Sequence, residues 1–165
     1  MKEKHKNLYM SIAKTVASSS YAEKLKVGAV VVKDHRILSI GYNGTPPGTD
    51  NSCEHKDYDL SKDMQGNYFP GSREHYPFDD EKGRYRLATR KEVIHAEMNA
   101  IYKMARDGQS AAGATLFVTH APCFECAKAI LSVGIKKVWY SEDYRDPGGV
   151  HFLSSNYLEV EKHVC

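Results

Sequence analysis

Two short segments of this chain must meet in space, and that requirement constrains the fold more than any other feature. One is His95-Ala96-Glu97; the other is Pro122-Cys123-Phe124-Glu125-Cys126. One imidazole and two thiols can hold a zinc ion and leave its fourth position to water. Cys123 and Cys126 stand three apart and share a face on a helix. Pro122 suits the start of that helix, whose positive dipole end favours thiolates. His95 and Glu97 stand two apart and would diverge on a regular helix. They converge only from a first turn, reaching past its end. Both segments are therefore expected at helix N-termini that meet over one ion.

The surrounding pattern alternates strands with helices. Residues 8–19 carry Leu8, Ile12, Ala13 and Val16 at helical spacing. Residues 27–32 form a short apolar strand, and Asp34-His35-Arg36 turns it into a second strand over 37–42. The run from Gly41 to Gly48 stops regular structure. Later, 95–106 reads as a helix, 114–119 as a strand, 123–133 as a helix closed by Gly134, and 135–140 as a buried strand. A short helix after Pro147 and an edge strand over 157–160 complete the chain. An early hairpin followed by strand–helix alternation predicts an α/β fold of three α/β/α layers. Its central mixed sheet has about five strands, with helices on both faces.

Length fits one domain spanning 1–165. Residues 49–92 interrupt it as a long insert without a clean period. Its aromatics, among them Tyr58, Tyr68, Phe69, Tyr76, Phe78 and Tyr85, argue for order. No apolar run approaches the roughly 20 residues that span a bilayer. The charged N-terminus lacks a signal-peptide core, so the chain reads as cytoplasmic, without membrane partners. Four Cys in such a chain read as metal ligands or free thiols, Cys165 as a free thiol. A net charge of only +2 argues against a nucleic-acid partner.

The two segments together match the H-x-E…P-C-x-x-C signature of zinc-dependent nucleobase deaminases. Their chemistry is hydrolytic removal of an amino group from a heteroaromatic ring. In that scheme His95, Cys123 and Cys126 are the metal ligands and Glu97 is the catalytic proton carrier. Glu97 takes a proton from the metal's water, passes it to the ring nitrogen and later protonates departing ammonia.

The sequence resembles the deoxycytidylate (dCMP) deaminases, phage-type members included, within the cytidine deaminase superfamily. Residues 26–30, Gly41-Tyr42-Asn43-Gly44, residues 94–101 and residues 122–128 carry the resemblance. It implies a cytidine-deaminase-like fold, conversion of dCMP to dUMP for thymidylate synthesis, and a homohexamer. It also implies activation by dCTP with Mg2+ and inhibition by dTTP, in host cytoplasm if a phage encodes the chain. Asn43 then meets the sugar 3′-hydroxyl, with a left-handed turn residue beside Gly44 as the plainer alternative. Ala96 faces the base. Lys24, Lys26 and Tyr144 are substrate-binding candidates near the phosphate, beside Arg145, at the strand end where open sheets place ligands. Arg106 falls at a subunit contact, or else caps a helix C-terminus. Some relatives carry a second, structural zinc, for which Cys53, His55 and His75 are the candidates here.

Besides a riboflavin-pathway deaminase, which would more often be fused to a reductase domain, two other readings remain open at this stage. One is deamination of adenosine in tRNA or of a base in single-stranded DNA, which calls for a basic, aromatic surface. The other is a non-catalytic zinc module that binds nucleotides, for which Glu97 would be superfluous.

Overall fold

The computed structural model describes residues 1–59 and 73–164. Tyr68, Phe69 and Cys165 lie outside the described residues. The first helix, α1 (Glu3–Ala17), begins earlier than its apolar spacing suggests. Its buried face consists of Tyr9, Met10, Ala13, Val16 and Ala17, and Leu8 points to solvent, 51% exposed. The strongly polar first turn of α1 has no apolar period by which to find it.

A hairpin follows: β1 (Gly28–Lys33) pairs antiparallel with β2 (Arg36–Tyr42). Asp34 and His35 both adopt positive φ, 48° and 61°, as a two-residue turn matching the right-handed strand twist requires. After the insert come α2 (Ala96–Arg106), β6 (Thr115–His120), α3 (Phe124–Ser132), β7 (Lys137–Glu142), α4 (Gly148–Ser155) and β8 (Glu159–Lys162). The main sheet runs β2-β1-β6-β7-β8. Its hairpin side is antiparallel, and β6, β7 and β8 are mutually parallel. The expected mixed five-stranded sheet is present.

Alternation along β1 sends Val30 and Val32 to one face and Ala29 and Val31 to the other. The first pair packs with Phe117, Trp139 and the buried side of α1. The second packs with Leu116, Val118, Val138 and residues of α2, α3 and α4. Helices thus cover both faces, making three layers.

The insert contributes a second sheet: β3 (Glu54–Tyr58), β4 (Phe78–Asp80) and β5 (Gly83–Thr89), ordered β3-β5-β4 and antiparallel throughout. Order in the described part of the insert was expected; strands were not. Tyr85 packs its ring against Tyr58 and Phe78, and Arg86 pairs with Asp57 and Lys56 with Asp80. Among the described residues, no helix is long and apolar enough to cross a membrane.

Candidate active site

His95 and Cys123 are not inside their helices but immediately before them. His95 precedes α2 with φ −67° and ψ 155°, and Cys123 precedes α3 with φ −69° and ψ 169°. Their carbonyls accept the first helical bonds, from Asn99 at 2.8 Å and Ala127 at 2.9 Å. Ser, Thr, Asp or Asn commonly fills this position and folds its side chain back onto the helix. Here neither side chain caps its helix, and each is free to face the other. His95 Nδ1 lies 3.4 Å from the sulfurs of both Cys123 and Cys126.

Backbone packing holds the two helix starts in place. Gly44 and Ile94 exchange backbone bonds of 3.1 and 2.8 Å, pinning the approach to His95. Gly41 lets β2 lie directly on the first turn of α2, because a Cβ there would sit 2.1 Å from the Ala96 carbonyl oxygen. Gly149 does the same for the other segment, where a Cβ would sit 2.0 Å from the Pro122 carbonyl oxygen. The Ala121 amide donates to Glu142 at 2.8 Å, tying the loop after β6 to the end of β7. The loops after β6 and β7 leave the carboxyl ends of parallel strands, where open sheets form clefts.

The ligand atoms of His95, Cys123 and Cys126 all lie within 4.8 Å of one another. Among the described residues, no other His, Cys, Asp or Glu joins this group, and no second such group assembles. Cys53 is buried, His55 sits on β3 and His75 follows the undescribed stretch. Protonation within the trio suits a cation. The Cys126 thiol donates to Cys123, holding Cys123 down at about 4 and pushing Cys126 up. The Cys123 sulfur draws His95 upward. Two sulfurs and an imidazole whose donor atoms converge this closely are donors that a divalent ion can occupy, displacing thiol protons as it binds. The residues present therefore fit a zinc ion with one position open.

Glu97 is 4% exposed. Burial pushes its carboxyl up to about 7, the His95 imidazole opposing and Cys123 reinforcing the shift. A carboxyl near 7 is poised to accept and return a proton at neutral pH.

Glu97, His95 and Cys123 open onto a cavity of about 420 Å³, a size that suits a small ligand. Asn43, Ala96, Lys24 and Tyr144 all line it, as does Arg145, stacked 5.6 Å over the Tyr144 ring. Lys26 is exposed and stands off the cavity wall. The chain on either side of it, Leu25 and Val27, forms the wall instead.

Asn43 is not left-handed, since it is absent from the described residues with positive φ. Its Oδ1 accepts from the Val27 amide at 2.8 Å, and its Nδ2 donates to the Leu25 carbonyl at 2.8 Å. It braces the cavity edge while lining it. Arg106 ends α2, exposed, beside Asp107 at 3.2 Å. Sequence reasoning missed Glu54, Thr89, His120 and Asp143, which also line the cavity. His120 and Asp143 were findable, as they end or follow parallel strands. Glu54 and Thr89 lie in the aperiodic insert and carried no signal.

Residues 3–142 match the cytidine and deoxycytidylate deaminase zinc-binding region. The chain is 39% identical to the deoxycytidylate deaminase of Enterobacteria phage T4, over 92% of this chain and 86% of that protein. It is 38% identical to the phage T2 deoxycytidylate deaminase, over 92% of this chain and 88% of that protein. Its fold matches the crystal structure of the dCMP deaminase from cyanophage S-TIM5 in complex with dCMP and dUMP, with TM-score 0.77 and 36% identity over 99% of both chains. A fold, a His-Cys-Cys trio and a sequence likeness that runs nearly end to end agree, and the chain belongs to the cytidine and deoxycytidylate deaminase family.

Proposed function

We propose that this chain hydrolyses dCMP to dUMP and ammonia, with a zinc ion held by His95, Cys123 and Cys126. The observation that carries the reading is the buried Glu97 carboxyl in the wall of the cavity that His95 and Cys123 also line, beside the His95, Cys123 and Cys126 trio. Zinc, when bound, supplies a water that loses its proton more readily. Because Cys123 and Cys126 both bring negative charge to the ion, a base beside it is still needed, and Glu97 is that base. Glu97 accepts the water's proton and gives it to the ring nitrogen, while the water's oxygen bonds to the ring carbon. Glu97 then takes the proton of the new hydroxyl on that carbon and delivers it to the amino nitrogen as the carbon–nitrogen bond breaks, so that the ring keeps a carbonyl and ammonia leaves.

Lys24, Arg145 and Tyr144 receive the phosphate, Asn43 the sugar edge and Ala96 the base. The placement of these residues around one cavity supports that assignment, as does the likeness to an enzyme described in complex with dCMP and dUMP. The family resemblance further suggests a cytoplasmic homohexamer with Arg106 at a subunit contact, dCTP with Mg2+ as activator, dTTP as inhibitor, and dUMP supplied for thymidylate synthesis. The insert over 49–92 is read as part of one domain spanning 1–165.

An ammonia-release assay comparing dCMP, CMP, deoxycytidine and dCTP, with and without dCTP–Mg2+ and dTTP as effectors, tests this. Preference for dCMP supports the reading. Bound zinc without release from any pyrimidine nucleotide would favour a non-catalytic module.

A further inference from the structure

The segment between α1 and β1 forms one edge of the cavity through Lys24 and Leu25, yet it has no helix or strand of its own. Side-chain hydrogen bonds, one from within the segment and others from elsewhere, hold its backbone. Ser20 Oγ donates to the Asn43 carbonyl at 2.6 Å and accepts from the Ala22 amide at 3.1 Å. Asn43 holds Leu25 and Val27. The stretch between these two anchors is held by the insert: the Glu54 carboxylate accepts from the amides of Glu23 at 3.2 Å and Lys24 at 3.3 Å.

Glu54 is the first residue of β3, paired in register with Thr89 of β5, and both face the cavity. The insert's small sheet therefore grips the edge that presents Lys24. A bare carboxylate in a cavity for a phosphomonoester would repel its ligand. Here both carboxylate oxygens are engaged by backbone N–H groups of the cavity edge.

Resting on the dCMP reading above, we propose that Glu54 is a positioning residue. It clasps the Glu23–Lys24 backbone to the insert sheet, so that Lys24 is preset for the substrate phosphate. The insert thereby becomes a wall of the nucleotide site rather than a decoration of the fold.

Steady-state kinetics on zinc-loaded protein test this with Glu54→Gln, Glu54→Ala, Lys24→Ala and the Lys24→Ala/Glu54→Ala double variant. Gln keeps one acceptor oxygen and Ala none. The expected result is a KM for dCMP raised about fivefold or more in Glu54→Ala and by less in Glu54→Gln. The kcat, zinc content and melting temperature stay near wild type. The double variant should raise KM by less than the product of the single effects, because Glu54 acts through the segment that carries Lys24. An unchanged KM, multiplicative effects, or a KM lowered equally in Gln and Ala would overturn the proposal, the last by showing that the carboxylate only repels the phosphate. A wild-type chain inert toward dCMP would overturn the substrate reading and this inference with it. An active wild type with unresponsive Glu54 variants overturns this inference alone.

Discussion

His95 Nδ1 and Cys123 Sγ lie 3.4 Å apart although 28 positions separate them in the chain. Each residue stands just before a helix, and each lacks the side-chain cap common at that position. The fold has put metal donors where helices ordinarily take their caps. Helix starts are fixed by backbone packing, so the donors inherit the rigidity of the two helices.

Removing one donor should empty the site. Cys126→Ser is expected to lower bound zinc well below the about one ion per chain of a three-ligand site. Activity on dCMP should fall in step. Metal analysis after desalting checks this; a fully loaded variant would count against Cys126 as a ligand.

The two lysines before β1 should separate cleanly. Lys24 lines the cavity and Lys26 does not. Lys24→Ala should raise the KM for dCMP about tenfold, as losing a charged hydrogen bond does. Lys26→Ala should leave it unchanged. Equal effects would mean that the bound nucleotide lies elsewhere on the wall.

Gly41 should tolerate no side chain. A Cβ there would lie 2.1 Å from the Ala96 carbonyl oxygen and 2.6 Å from the Ala100 amide nitrogen, both backbone atoms. Gly41→Ala should cost about 1–3 kcal/mol, as overpacking does, and should weaken zinc binding by displacing the start of α2. Thermal melting and metal titration would read the two effects, and a melting temperature equal to wild type would refute the close approach.

The two segments and the core were legible in the sequence for physical reasons. The valine run of β1 is buried on both faces and shows itself without alternation. The His-x-Glu spacing made sense only at a helix start, where α2 places it. The insert strands were not legible, because β3 reads Glu54-His55-Lys56-Asp57-Tyr58 and buries neither face completely. Its pairing rests on cross-strand rings and ion pairs, which leave no hydrophobic period. The start of α1 was misplaced for a related reason: its first turn is polar, and Leu8 is an exposed apolar residue that mimics a core position.

Acid should loosen the insert in a defined window. The Lys56 ammonium holds the Asp80 carboxyl down at about 2, helped by the Lys82 amide and the Tyr58 hydroxyl, against an ordinary value of 3.8. A carboxyl depressed in the folded state stabilises above its unfolded pKa and loses that contribution as pH falls toward its folded one. Asp80→Asn should therefore melt below wild type at neutral pH, and the gap should close between about pH 4 and pH 2. A gap independent of pH would rule out this linkage.

Glu97→Gln tests the central claim most directly, through bound zinc and the rate of ammonia release from dCMP measured on the same preparation. Gln preserves shape and cannot carry the proton. The expected result is wild-type zinc content with release slowed about a thousandfold or more, in the range of a lost general acid–base. A rate close to wild type with zinc in place would contradict the role of Glu97 and the mechanism built on it.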